Sequence, residues 1–338
     1  MIYLICYDWL STRGNHAGMS HLCDMLVGRY ADIHALKKFQ FKHVVWLPSK
    51  YICKKIDKYI DKFNNLVFEF RFRKILRSLH DNDTIVLMEY LHPIENQSKY
   101  AIKIREQNDK VKIIGLAHLT PSALVDLGVG ATNIDYWVKP VDRIITFGYS
   151  LSDWLVSIGV SKEKVVTAKH YVDSDYYSRN HPILEDRPRI ICMGNLQRNY
   201  SILEQIVSRC LDIEFTLCSG RAQLTNFSKY SNVRLLNYLS EEQLREEIEK
   251  ANVSLNVMDD TVGSNVITTS MAMGLAMIVS DVGSIRDYCD ERNAIFCKGV
   301  DDFVQAINTI QIKPLSEASL VKAKEFGIES FYNAISSL

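Results

Sequence analysis

The stretch DDTVGSNVITTSMAMG, Asp259 to Gly274, places small polar residues and a glycine ahead of a run with helical spacing. Ser264 or Asn265 can cap that helix, and Gly274 can stop it. The free N–H groups of Ser264, Asn265 and Val266, with the positive end of the helix dipole, would attract an anion. Gly263 would let the backbone come close to it. The same residues also suit an ordinary strand–turn–helix junction. A ligand is favoured by the next run, GLAMIVSDVGS, a buried strand and a second glycine turn. Three further groups stand where apolar runs end. They are RGNHAGM with Asn15, His16 and Gly18, then Glu89 in LMEYLHP, and His118 closing VKIIGLAHL. Glu89 can contact a ligand or merely cap a loop. A lone histidine is commonly structural, and its place at a strand end is what singles out His118.

These groups need a frame, and apolar runs alternating with helical segments provide one. The first half offers MIYLICY, HVVWLP, DTIVLMEYL, VKIIGLAHL, DRIITFG and KVVTAKHYV. The second offers RIICMGN, IEFTLCSG, VRLLNYL, ANVSLNVM, LAMIVSDVG and NAIFCK, with helices such as SILEQIVSRCL and SEEQLREEIEKA between them. Such continuous runs predict an α/β architecture of parallel sheets covered on both faces. The polar break SRNHPILEDRPR, Ser178 to Arg189, separates the halves. Two Rossmann-like domains joined near residue 180 are therefore expected. Ligands of such sheets bind outside the carboxyl ends of the strands, here at an interdomain cleft.

A chain of 338 residues exceeds one ordinary core and suits two domains. With 47% hydrophobic and 24% charged residues it reads as globular. Eight cysteines without a Cys-x-x-Cys pair predict buried reduced thiols and a cytoplasmic setting. The start MIYLICYDW lacks a basic leader and reads as a first strand. No apolar run approaches the roughly 18 residues of a membrane span. The net charge is zero, and no nucleic-acid partner is expected. That zero conceals twelve Lys and Arg against three acids between Lys37 and Arg77, an excess of +9. Within it KYICKKIDKYIDKF, from Lys50, interleaves lysines with Tyr51, Ile52, Ile56, Tyr59, Ile60 and Phe63 at helical spacing. Such a helix can lie on an anionic membrane surface, or be solvated with its apolar side in the core. Both readings stand.

The residues VGSNVITTSMAMGLAMIVSDVGSIRDYC resemble the nucleotide-sugar signature of retaining GT-B glycosyltransferases, specifically glycosyltransferase family 4 (glycosyl transferases group 1). That signature runs E-G-F-G-L-x-L-L-E-A-M-A-x-G-x-P-V-V-A-T-D-V-G-G. Other pieces occur in the family's order: DRIITFGYSLSDWLVSIGVSKEKVVTAKHYVDSDYY, RIICMGNLQRNYSILEQIV and NVRLLNYLSEEQLREEIEKANVSLNVM. The second half matches nearly throughout and the first half in patches. The resemblance implies an acceptor-binding domain over 1–178, a nucleotide-sugar-binding domain over 179–322, and a helix over 323–338 returning to the first domain. It implies transfer of a sugar with retention from a UDP- or GDP-sugar to a glycan or lipid-linked acceptor, in cell-surface polysaccharide or lipopolysaccharide synthesis. Implied donor contacts are Gly18, Gly194, Asn195, Gly220, Tyr238, Gly263, Ser264, Asn265, Val266 and Thr269. Asn15, His16 and Glu89 fall on the acceptor side, and His118 and Arg198 at the reacting centre. No metal and no cofactor are implied, because Asp173 and Asp175, spaced as Asp-x-Asp, fall where the family has a structural turn.

The family's two glutamates, eight positions apart, fall on Thr261 and Thr269, or on Asp260 and Thr268 after a shift of one. A threonine hydroxyl can bond a ribose hydroxyl, but without the charge-assisted pair of a carboxylate. The family's Arg in G-R-L is Asn195, and Arg198 is the nearest cation. These departures keep a non-catalytic, glycosyltransferase-like binding subunit as the alternative. An oxidoreductase would want G-x-G-x-x-G after the first strand, which GNHAG does not supply.

Overall fold

The computed structural model describes residues 1–10, 12–41, 50–181, 183, 187–220 and 222–338, apart from the side chains of 50 and 51. The chain divides into two compact units. One comprises Met1–Thr146, Ser152–Ala168 and Tyr332–Leu338, and the other Phe147–Leu151 and Lys169–Phe331.

Six parallel strands build the first unit: β1 (Ile2–Asp8), β2 (Ile33–Phe39), β3 (Thr84–Leu87), β4 (Lys112–Ala117), β5 (Arg143–Thr146) and β6 (Val165–Thr167). They lie in the order β2-β1-β3-β4-β5-β6. Helices α1 (Met19–Arg29), α2 (Lys50–Ser78) and α3 (Ser98–Gln107) come after the first three strands in turn. Strands β1, β3 and β4 are buried almost throughout, as a sheet covered on both faces requires. The second strand is IHALKKF, where His34, Lys37 and Lys38 are tolerated because β2 is an edge strand. The run HVVWLP, expected as that strand, lies outside the described residues.

The second unit holds β7 (Arg189–Met193), β8 (Glu214–Cys218), β9 (Val233–Leu236), β10 (Val253–Asn256), β11 (Ala276–Ser280) and β12 (Ala294–Cys297). All pair in parallel, in the order β12-β11-β10-β7-β8-β9, and each coincides with one of the six expected runs. Phe215, Leu217, Leu255, Ile278 and Phe303 meet in its core. The segment Lys169–Ser178, assigned to the first domain in sequence, packs here instead. Its backbone explains this, since Val172 N–H donates to the Phe326 carbonyl at 2.7 Å and His170 N–H to the Tyr288 hydroxyl at 2.8 Å.

Each sheet reverses its direction of growth once, between β1 and β3 in the first unit and between β7 and β10 in the second. At such a point the loops leaving neighbouring carboxyl ends run to opposite sides and open a crevice. All eight cysteines are free thiols, seven of them buried. No helix among the described residues is long and apolar enough to cross a membrane.

Candidate functional site

At the reversal point of the second sheet, β7 is followed by Gly194 and β10 by the stretch leading to Gly263. The two exits are laced together: Asn199 N–H donates to the Val257 carbonyl at 3.1 Å and Asp259 N–H to that of Gln197 at 3.0 Å. Between them sits Arg198. The residue is partly buried, its Nε fully so, and Nη1 donates to Asn256 Oδ1 at 3.1 Å. Asn256 in turn donates to Ser254 Oγ at 2.9 Å, which lies 2.8 Å from Ser270 Oγ. This polar file is buried, and it holds the guanidinium in place from behind. Yet Nε has no partner, and no carboxylate among the described residues pairs with the cation. Burial draws its pKa down to about 10, which still leaves it charged near neutral pH. A buried cation without a counter-ion is costly, so the arrangement suits an anionic ligand. The cavity beneath, about 20 Å³ and lined mainly by apolar side chains, has room only for a water. A ligand must come from the open side of the strand ends.

Gly194 lies against Val266 and Arg198. A Cβ there would stand 3.1 Å from Val266 Cγ2 and 3.3 Å from Arg198 Nη2, and its φ of +79° already excludes most side chains. The helix Asn265–Ala272 begins at Val266's side of this contact, capped by Ser264, as expected. The expected trio of N–H groups needs correction. Val266 N–H donates to Ser264 Oγ at 3.2 Å, so the cap itself uses one of the three. Gly263 has φ +106°, and a Cβ would stand 2.3 Å from the Tyr288 hydroxyl. Packing on Tyr288 therefore demands this glycine, whatever approaches from outside. The two registers for the missing glutamates also separate here. Thr268 Oγ1 is turned back to the carbonyls of Ser264, Asn265 and Tyr171 at 3.4, 3.4 and 3.5 Å. Thr269 is buried, and its hydroxyl makes no such bond among the described residues. Asn195 belongs to the exposed turn after β7, while Gly220 and Tyr238 come after the carboxyl ends of β8 and β9 on the same sheet edge. Asp173 Oδ1 accepts from the N–H groups of Asp175 and Tyr176 at 3.2 and 3.3 Å, so that carboxylate caps a turn.

In the first unit the equivalent point lies between β1 and β3. The loop after β1 winds on itself, with Asn15 N–H on the Thr12 carbonyl at 3.0 Å and Gly18 N–H on that of Asn15 at 2.9 Å. Gly18 then opens α1, and the His16 ring lies 4.2 Å from that of His21. Glu89, just past β3, is buried. Trp9 Nε1 donates to its Oε1 at 3.4 Å, and His118 Nε2 stands 3.3 Å from Oε2. Burial pushes the Glu89 carboxyl up to about 8, so it is largely protonated at neutral pH. His118, at the end of β4, keeps 27% of its side chain exposed and offers the accessible end of this pair. Asp8 ends β1 with one oxygen on Arg13 Nε at 2.5 Å and the other buried without a partner. Sequence alone brings Glu89 and His118 forward separately but misses their pairing, together with Asp8 and Trp9. It also misses Ser254 and Asn256, although polar residues alternating with Val253, Leu255 and Val257 are a signal.

Residues 187–311 match the family model "Glycosyl transferases group 1". That segment is a glycosyltransferase domain. No curated protein sequence matches the chain. Solved structures match over its whole length. A lipopolysaccharide outer core galactosyltransferase, WaaB, is 14% identical with a TM-score of 0.66, covering 100% of this chain and 99% of its own. Anabaena Alr3699/HepE, solved with UDP and glucose, is 11% identical with a TM-score of 0.67 and 100% of each chain covered. Sucrose-phosphate synthase from Thermosynechococcus elongatus is 14% identical with a TM-score of 0.69, covering 100% of this chain and 97% of its own. The two six-stranded parallel sheets are those of the GT-B glycosyltransferase fold.

Proposed function

We propose that this protein transfers a sugar, with retention, from a UDP- or GDP-sugar to a glycan or lipid-linked acceptor in the synthesis of a cell-surface polysaccharide or lipopolysaccharide. The observation that carries the reading is Arg198, a partly buried guanidinium with no carboxylate partner among the described residues, beside Gly194 and the start of the Asn265–Ala272 helix. The donor's diphosphate lies against it, and the Thr269 hydroxyl takes a ribose hydroxyl. The base reaches toward Gly220 and Tyr238. As the sugar leaves, negative charge grows on the phosphate, and fixed positive charge in a water-poor site stabilises it. Arg198 and the helix terminus supply that charge, so the reading needs no metal ion. On the acceptor side, the buried Glu89 carboxyl, protonated at neutral pH, and His118 beside it lie next to the acceptor hydroxyl, with Asn15 and His16 lining its approach. Support from relatives is the family match over 187–311 and the UDP bound by Alr3699/HepE.

The loss of both family glutamates, to Thr261 and Thr269 or to Asp260 and Thr268, favours a second reading, a binding subunit that holds the nucleotide sugar without turning it over. A panel of UDP- and GDP-sugars with glycan and lipid-linked acceptors separates the two. Release of nucleoside diphosphate, lost in Arg198→Met, is expected. Tight nucleotide binding with no release from any donor would leave the binding subunit.

A further inference from the structure

We propose that α2 is a docking surface for an anionic lipid bilayer. The inward side of this 29-residue helix carries Cys53, Phe68 and Phe72, all buried. Phe68 and Phe72 pack on Tyr100 of α3, with ring centroids 5.4 and 4.9 Å away. A helix anchored in this way is ordinarily polar on its outer side. Here the outer side is apolar. Ile52, Tyr59, Phe63, Leu66 and Phe70, at steps of seven, four, three and four, form one row with Val67 beside it. Their exposures are 49, 71, 69, 60, 73 and 41%, in that order with Val67 last. The row runs about 27 Å along the helix. Single exposed apolar residues are common on any protein, whereas a continuous row marks an interaction surface.

Charge selects the partner. Lys55, Lys62 and Arg73 line one shoulder of the row, and Lys74 and Arg77 lie at its carboxyl end, all exposed. Two of the three acids lie on the inward side, and the third, Glu69, stands on the shoulder beside Lys62 and Arg73. Asp57 and Asp61 share the row of Phe68 and Phe72, and Glu69 is held by Lys103 at 2.9 Å. The outer face of α2 thus presents cations and apolar side chains, and the one carboxylate beside it, Glu69, is already paired with Lys103. A second copy of the chain would bring two such basic faces together, and like charges repel. An anionic bilayer satisfies both features. Lipid phosphates meet the lysines and arginines, while the Phe, Leu and Tyr side chains enter the boundary between headgroups and acyl chains. This goes beyond the glycosyl-transfer reading and stands without it.

Sedimentation with vesicles tests it, using phosphatidylglycerol mixed with phosphatidylcholine against phosphatidylcholine alone. Binding to the anionic vesicles is expected, with little to the neutral ones, and it should weaken at 1 M salt, where the Debye length is about 3 Å. Phe63→Ser with Phe70→Ser should weaken it by about tenfold or more, since two aromatics that would enter the bilayer are lost. Lys55→Glu with Lys62→Glu should weaken it as well and flatten the salt dependence. Both pairs are exposed, so melting temperatures should stay as in the parent. Equal binding to the two vesicle types, no binding, or insensitivity to the Phe pair would overturn the proposal. So would self-association abolished by the Phe pair in a protein that ignores lipid.

Discussion

Arg198 is an expensive residue to keep in a ligand-free protein. Its guanidinium is partly desolvated, one hydrogen bond to Asn256 is its side-chain recompense, and the buried Nε is left without a partner. Arg198→Met keeps the length of the side chain and removes the charge. The ligand-free protein should then be as stable as the parent or more so, because a buried uncompensated charge is gone. Affinity for UDP or GDP should fall by about 100-fold, the scale of a lost charge-assisted contact of roughly 3 kcal/mol. Calorimetric titration beside a thermal melt reads both. A variant that melts lower and still binds nucleotide would show Arg198 to be structural. Glu89 makes the opposite prediction through pH. Its carboxyl moves from 4.5 to about 8 on folding, chiefly by burial. Between those values the unfolded chain has released the proton and the native one retains it, so stability falls as pH rises through the window. Glu89→Gln removes the titration. The variant should gain on the parent by on the order of 1–3 kcal/mol between pH 5 and pH 8, discounted from about 1.4 kcal/mol per pH unit. Urea melts at the two pH values measure this. Parallel changes in the two proteins would mean that Glu89 does not titrate there.

At the scale of elements, two glycines with positive φ separate packing from freedom. Gly263 sits at the end of the β10 exit with φ +106°, and a side chain there would place its Cβ 2.3 Å from the Tyr288 hydroxyl. That hydroxyl is itself engaged, donating to the Phe147 carbonyl and accepting from His170 N–H. It has no room to retreat. Gly220 has φ +57°, and a Cβ there would meet nothing within 4 Å. Gly263→Ala should therefore cost about 3 kcal/mol or more, through strain and overlap together, and Gly220→Ala only about 1 kcal/mol. Chemical denaturation compares them directly, and equal costs would show that Tyr288 yields. The same contrast explains what can be read from the sequence. Gly263 stands out by its place between a strand and a helix. The side chain that requires it lies 25 positions away, and local pattern says nothing of such a partner. Likewise α2 is legible as a basic amphipathic helix, whereas which side it buries depends on Tyr100, in a different helix.

For the whole molecule, the alternation of apolar runs and helices is enough to give two parallel sheets, because buried parallel strands need continuous β-branched sequence. It fails at β2, where IHALKKF is an edge strand and carries the polar residues that edges tolerate. The site is legible at strand ends and illegible in its pairings: Arg198 with Asn256 and Glu89 with His118 join residues 58 and 29 positions apart. The end of the chain provides a final test. Phe326, Ile328 and Phe331 are 1, 6 and 2% exposed and pack in the second unit, where the rings of Phe326 and Phe331 approach Tyr288 and Phe147 at 5.4 and 6.2 Å. Ile335 is 1% exposed and belongs to the first unit, as does Tyr332, whose ring stacks on Tyr30 at 3.7 Å. Each buried aliphatic or aromatic side chain contributes roughly 1.5–3 kcal/mol. Four of them amount to roughly 6–12 kcal/mol, an upper figure because unfolded chains are partly compact. A typical domain has only about 5–15 kcal/mol in total. Truncation after Lys324 should consequently abolish the cooperative thermal transition of the chain, whereas Tyr332→Ala, which removes one half-exposed ring, should cost about 1 kcal/mol. A truncated protein melting at the temperature of the intact one would mean that both cores close without this segment.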